Sequence, residues 1–278
     1  MSRIIRHQVG SAEVIALTDG IGQFGPEQFP ATAPDEIAAL LEAAGKQVIE
    51  TNFNAFLIRS GGVNWLIDTG ARELFGPTAG FLPEALSEAG VAPEDIDHLF
   101  ITHMHPDHCA GAVTPDGQAV FANADLTLST PEHNYWADHS NFTGRGAQAE
   151  GAYALAKSVF DAYADRLVPV DGHADLGAGL QVEPMAGHTP GHAGVKLQSG
   201  EDTFMIVADI VHAVDLQLPN PDIGVVYDKD GAEAALSRKR VLDMLATDNI
   251  PCSGGHFLSP GIGRIRRAGT GYRFHSEA

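Results

Sequence analysis

Apolar and polar positions alternate over residues 3–9 and 12–18 with Gly10 between them, which predicts two strands joined by a tight turn. Over residues 34–44 the spacing becomes helical. Pro34 and two acids open this segment and Gly45 closes it, the asymmetry that suits helix termini. Residues 54–59 and 63–67 predict strands around Ser60-Gly61-Gly62, a hairpin signal. A loop over 75–80 and a helix over 82–89, punctuated by Gly90, lead to a strand at 97–102. Short strands at 118–121 and 125–128 follow, then a helix start at Thr130-Pro131-Glu132, a surface loop over 139–149 and an amphipathic helix over 149–165. The second half has the same style. It reads as strands at 180–184, 195–198 and 203–207, a helix of good formers over 232–246, a short strand and glycine turn over 250–256, and a last strand at 271–274. Strands and helices alternate throughout without a linker or low-complexity segment, so one α/β domain over residues 1–278 is expected.

The strand at 97–102 matters because of what it runs into. Leu99-Phe-Ile-Thr-His103-Met-His105-Pro-Asp107-His108 sets four side chains of metal-ligating type within six residues of a strand end. Imidazole and carboxylate together suit zinc and its transition-series neighbours, and a strand end can hold such ligands in place before the metal arrives. The chain has 13 histidines, and a lone one is ordinarily a solvated or hydrogen-bonded side chain; His7, His98, His133, His139, His173, His212 and His275 are read that way. Other strand ends carry the same chemistry: Asp68 after 63–67, Gly187-His188-Thr-Pro-Gly-His192 after 180–184, Asp209 after 203–207, and Gly254-Gly255-His256. In layered α/β folds sites gather outside strand ends, so these five stops predict one convergent site.

Composition narrows the partners. The formal charge of −19 disfavours nucleic acid and anionic membrane surfaces, and Arg264-Ile-Arg266-Arg267, the one basic run, reads as a solvated face or local salt-bridge cluster. No apolar run of membrane-spanning length occurs. The start of the chain lacks a signal-peptide core, and Cys109 and Cys252 form no Cys-x-x-Cys pair, so a cytoplasmic, reducing location is expected.

With these residues in view, the chain resembles the metallo-β-lactamase-fold hydrolases, whose signature His-x-His-x-Asp-His, then His, Asp and His is matched by His103, His105, Asp107, His108, His188, Asp209 and His256. The resemblance implies a four-layer αββα sandwich, two mixed β-sheets flanked by helices. It also implies two divalent metal ions, zinc foremost, with manganese, cobalt or iron as alternatives. One metal would take His103, His105 and His188, the other Asp107, His108 and His256, and Asp209 would bridge them beside a hydroxide. Asp107 and Asp209 then become the catalytic carboxylates, with Asp68 and His192 supporting the ligands. A narrower similarity is to the methyl parathion hydrolase-like branch, which includes lactonases. It rests on Leu74-Phe-Gly-Pro-Thr, Ile101-Thr-His-Met-His-Pro-Asp-His, Ser259-Pro-Gly-Ile-Gly-Arg-Ile-Arg and Gly269-Thr-Gly-Tyr-Arg-Phe. Members of that branch line the pocket with aromatics, which puts Phe75 and Trp136 forward as substrate-binding residues with core packing as the alternative reading, and the length of the 133–149 insert suits a roof over the site. The function implied is hydrolysis of a neutral small-molecule ester, lactone, aryl ester or phosphotriester. Asp209 points away from antibiotic hydrolysis, a position that true β-lactamases of the fold leave without Asp. An iron-dependent, persulfide dioxygenase-like redox enzyme is the alternative, and a homodimer is compatible with the sequence.

Overall fold

The computed structural model describes residues 2–259 and 261–277; Pro260, within the Ser259 motif, lies outside them. Strands β1 (Ile4–Val9), β2 (Ala12–Phe24), β3 (Ile49–Ser60), β4 (Val63–Ile67), β5 (His98–Phe100), β6 (Asp125–Ser129) and β7 (Leu167–Val170) form one sheet in that order. Pairing is antiparallel from β1 to β4 and parallel from β4 to β7. The second sheet holds β8 (Asp175–Gly177), β9 (Leu180–Pro184), β10 (Ala193–Ser199), β11 (Asp202–Ile206), β12 (Pro251–Ser253), β13 (Gly263–Ala268) and β14 (Gly271–Ser276), again in chain order. There β11 and β12 run parallel, and the other pairs among the described residues are antiparallel. The helices are α1 (Pro34–Ala43), α2 (Leu82–Ala89), α3 (Pro106–Cys109), α4 (Thr130–Ala137), α5 (Ala147–Ala162), α6 (Val214–Gln217) and α7 (Gly231–Asp248).

Period-two alternation sorts each strand between two cores. In β2, Val14 and Ala16 face the other sheet while Ile15 and Leu17 face helices; in β3, Phe56 and Ile58 divide from Ala55 and Leu57 in the same way. A strand covered on both faces reads as a nearly continuous apolar run. Leu180, Val182, Val195, Phe204 and Ile206 meet the first sheet from the second. On the outer faces, α2 contributes Leu82, Ala85, Leu86 and Ala89 at helical spacing, and α7 contributes Val241, Leu242 and Leu245 against Met205 and Cys252. The result is helix, sheet, sheet, helix, with each fully buried Leu, Val or Phe contributing about 1.5–3 kcal/mol.

Several elements differ from the sequence expectation. Residues 118–121 are not a strand. They make one isolated bridge, Val113 to Ala119, because β5 pairs directly with β6 (Leu99 with Leu126) and leaves no sheet edge for them. The strand expected at 12–18 continues to Phe24, and the one expected at 54–59 starts at Ile49. The basic run forms β13, in which Gly263 and Ile265 point inward while Arg264 pairs with Glu277 and Arg267 with Asp243. β7 carries Pro169 and is an edge strand, the place where a sheet tolerates a missing N–H.

The parallel pairs are what position chemistry. The carboxyl ends of β4, β5 and β6 open onto one edge of the first sheet, and those of β11 and β12 onto the second.

Candidate metal centre

After β5 the chain passes Thr102 and His103, and Pro106 then starts α3 with a preset φ. This short turn presents His103, His105, Asp107 and His108 in one direction. His188 comes from the β9–β10 connection. Its Nε2 lies 2.9 Å from His105 Nδ1, which is 3.0 Å from His103 Nε2. Three nitrogens each about 2.0–2.1 Å from one tetrahedral ion sit roughly 3.3 Å apart, so this cluster has the spacing of a zinc-type site. A second group, Asp107, His108 and His256, has Asp107 Oδ2 3.5 Å from His108 Nε2 and 3.7 Å from His256 Nε2.

Asp209 joins the two groups. Its Oδ2 lies 3.0 Å from His256 Nε2, 3.2 Å from His108, 3.3 Å from His212, 3.5 Å from His188 and 3.6 Å from His103. The turn that carries it is strained: Ala208 has φ +44°, an unfavourable region for a residue with a Cβ. Gly255 is needed beside it, since a Cβ there would stand 2.5 Å from Asp209 Oδ1. Asp209 Oδ1 and His108 Nε2 are buried without a hydrogen-bond partner. Buried polar atoms are normally satisfied, and two unpartnered atoms converging between imidazoles fit ligation of a metal ion.

His103, His108, His188 and His256 are fixed from behind, whereas His105 turns its Nδ1 toward the centre. His108 Nδ1 is 2.7 Å from Asp68 Oδ2, and Asp68, itself at φ +62°, also accepts from the amide and hydroxyl of Thr102. That hydroxyl oxygen faces His103 Nδ1 at 3.1 Å. His188 Nδ1 is held by Asp228 Oδ1 at 3.0 Å and His256 Nδ1 by the Asn52 carbonyl at 2.9 Å. With Nδ1–H donating outward, Nε2 keeps its lone pair for the centre. His192 accepts from the Asp209 amide through Nε2 and is anchored to the Met185 carbonyl.

Protonation divides the rings into two groups. Burial, aided by neighbouring imidazoles, holds His103 and His188 well below the usual histidine range, and burial brings His105 and His192 down to about 4. Neutral imidazole is the form a metal takes. Burial opposes ionisation of Asp209, but His108, His256 and His103 overcome it and hold the carboxyl well below its ordinary range. Burial pulls His108 and His256 down, yet Asp209 and Asp107 outweigh it and raise both above the usual histidine range.

The centre floors a cavity of about 760 Å³, whose lining includes His105, Asp107, His188, Asp209, His212 and His256. Phe75 and Trp136 both line it. Phe75 is 43% exposed and packs on Phe53, whereas Trp136 is buried with its ring 5.9 Å from His105 and its indole N–H on Glu132. The 133–149 stretch is a cavity wall: Asn141, Phe142, Arg145 and Gln148 line the opening from it.

Four side chains escaped the sequence reading. His212, read there as a surface or satisfied residue, is 2% exposed, with its ring 4.6 Å from His188 and 4.8 Å from His256. Its position three residues after Asp209 was the available signal. Glu132 looked like a first-turn helix acid, and it is a buried clamp between the two ligand loops. Asp19 accepts from Ala71, Gly80 and Leu82 amides and so shapes the segment carrying Phe75. Asp228 orients His188, and no local pattern marked it.

The family model described as Metallo-beta-lactamase superfamily matches residues 50–256. Among solved structures, AidC, a dizinc quorum-quenching lactonase in complex with a product, is 27% identical with a TM-score of 0.92, covering 100% of this chain and 98% of that one. The hydrolase AbOPH, in the beta lactamase superfamily, is 29% identical with a TM-score of 0.93, covering 100% and 99%. A probable metal-dependent hydrolase from Staphylococcus aureus shares the fold at 19% identity and a TM-score of 0.80, covering 98% and 100%.

Proposed function

Because this chain belongs to the metallo-beta-lactamase superfamily, we propose that it is a hydrolase of neutral ester-type substrates, lactones foremost, working with two divalent metal ions. The observation that carries this reading is Asp209 Oδ2, within 3.6 Å of five imidazole nitrogens drawn from both halves of the chain. His103, His105 and His188 would hold one ion, Asp107, His108 and His256 the other, with Asp209 shared. The dizinc lactonase AidC, similar over its whole length, supports zinc and a lactone. Such ions, when bound, supply an acidified water (pKa near 7) and a Lewis acid for the ester oxygen.

The residues of the chain do the rest. Asp68, Asp228 and the Asn52 carbonyl keep the rings facing inward. Asp107, on the cavity floor, is placed to take up a proton at its carboxylate and pass it to the departing alkoxide. Phe75 and Trp136 give the substrate an apolar wall. His212 lines the cavity between His188 and His256, with Nε2 3.3 Å from the Asp209 carboxylate, and is placed to meet a bound ester. His212→Ala is therefore expected to lower kcat by about 100-fold while metal content stays at the parent level, as read by steady-state kinetics with elemental analysis.

Among the described residues no helix is long and apolar enough to cross a membrane. Both thiols are free and buried, which supports a reducing location.

The reading is tested by exhaustive chelation followed by assay against a lactone, an aryl ester and a phosphotriester. Hydrolysis is expected to vanish and to return with zinc, manganese or cobalt. Full activity after verified metal loss would overturn it. Iron with oxygen uptake on a thiol substrate would replace it with the redox alternative.

A further inference from the structure

Helix α7 carries an arginine where its buried stripe calls for an aliphatic residue. Ala234, Arg238, Val241, Leu242 and Leu245 face the core, and Arg238 is 0% exposed. A buried guanidinium is retained only when its charge and donors are met. Here Nε donates to the Ile210 carbonyl and one terminal nitrogen to the Pro221 carbonyl at 2.9 Å. The other terminal nitrogen makes no hydrogen bond and lies 3.6 Å from Asp228 Oδ2. The Asp228 side chain is 2% exposed, and its other oxygen holds His188 Nδ1 at 3.0 Å. Ile210 directly follows Asp209. One side chain therefore grips the backbone beside Asp209 and faces the carboxylate that orients His188.

The rest of α7 leans on the same loop. Ser237 donates to the Ala186 carbonyl. Gly187 is packed so closely on the helix that a Cβ would stand 2.1 Å from the Ala234 amide. The loop after Val225 is pinned as well, with Lys229 N donating to the His188 carbonyl and Asp230 N to that of Gly187.

We propose that Arg238 is a positioning residue for the metal centre: through Asp228 it fixes the ring orientation and Nδ1–H tautomer of His188. The proposal rests on the ligand assignment above and concerns the His103–His105–His188 side of the centre; on the other side Asp68 and the Asn52 carbonyl hold His108 and His256. With the cation gone, Asp228 keeps, among the described residues, the Val225 amide at 3.2 Å and His188 as partners, and His188 loses its fixed geometry. Outer partners of a metal-ligating histidine typically change affinity 10- to 100-fold.

The test compares parent, Arg238→Met, Arg238→Lys and Asp228→Asn proteins. Histidine-ring nitrogen NMR on the metal-free proteins reads the tautomer directly, and zinc titration against a chromophoric chelator reads the two affinities. In the parent His188 is expected as the Nδ1–H tautomer. In Arg238→Met it becomes a mixture, and one zinc equivalent weakens at least tenfold while the other holds. Arg238→Lys, which keeps a cation, is expected to recover most of the loss. If Arg238→Met does not fold, Asp228→Asn, which preserves shape and removes charge, carries the comparison. An unchanged His188 tautomer with two parent-like affinities overturns the proposal, and so does equal weakening at both sites. A parent that binds fewer than two zinc ions while the tautomer shift still occurs would count against the dinuclear reading and leave this one standing.

Discussion

Asp209→Asn is expected to lower kcat/KM by 1,000-fold or more and to drop metal content below two ions per chain. The substitution keeps the shape of the side chain and removes its charge. Five imidazole nitrogens surround Oδ2, and Asp209 is the second cause, after burial, that sets His108 and His256. An amide oxygen is a weaker ligand for hard dications than a carboxylate, and an amide nitrogen turned inward would be a donor aimed at lone pairs. Three powers of ten correspond to about 4 kcal/mol of transition-state stabilisation, in keeping with removal of a group that organises a whole centre. Elemental analysis alongside steady-state kinetics decides the matter. Two ions per chain with activity within tenfold of the parent would remove the bridging role.

Glu132→Leu is expected to destabilise the metal-free protein by about 4 kcal/mol. Glu132 is fully buried, and burial pushes its carboxyl above the usual range even though four donors pull it back. Oε1 accepts from the Met104 amide and the Trp136 indole at 2.9 and 2.7 Å; Oε2 accepts from the Thr189 hydroxyl and Gly191 amide at 2.6 and 3.0 Å. Leucine fills the volume and strands all four. An unmatched buried donor costs about 1–3 kcal/mol, and relief from burying a charge returns part of the sum. Against a total stability of about 5–15 kcal/mol, the loss is large. Urea denaturation of the metal-free proteins measures it, with an unchanged m-value marking an unaltered unfolding reaction. A midpoint matching the parent would mean that the two loops are held by other contacts. Glu132→Gln should fall between, because one amide oxygen can still accept while the NH2 confronts donors.

These two residues mark the limits of what the chain declares in one dimension. Asp209 is visible because it follows the apolar run of β11 and falls in order between His188 and His256. Glu132 is invisible because an acid in the first turn of a helix is ordinarily a solvated partner of the helix dipole. His212 stands outside any motif, and only its spacing of three residues from Asp209 hints at its place. Arg238 could have been noticed as a charge on the apolar stripe of α7, but its partner Asp228 could not. The strand expected at 118–121 failed differently. Its pattern was acceptable, and the direct pairing of β5 with β6 left it nowhere to add.

The sequence by itself determined the alternation of helices and strands, the two-sided burial of the central strands, and the run from His103 to His108, since these depend on spacing along the backbone. It also placed ligand-type residues at successive strand ends. Only the tertiary structure decided which of those ends meet. The parallel pairing of β4, β5 and β6, and of β11 with β12, turns separate strand ends toward one edge between two sheets. There His212 joins the centre, and Glu132, Asp228 and Arg238 become its supports. Side chains far apart in sequence acquire a shared role only when burial removes water and makes each the nearest partner the other has.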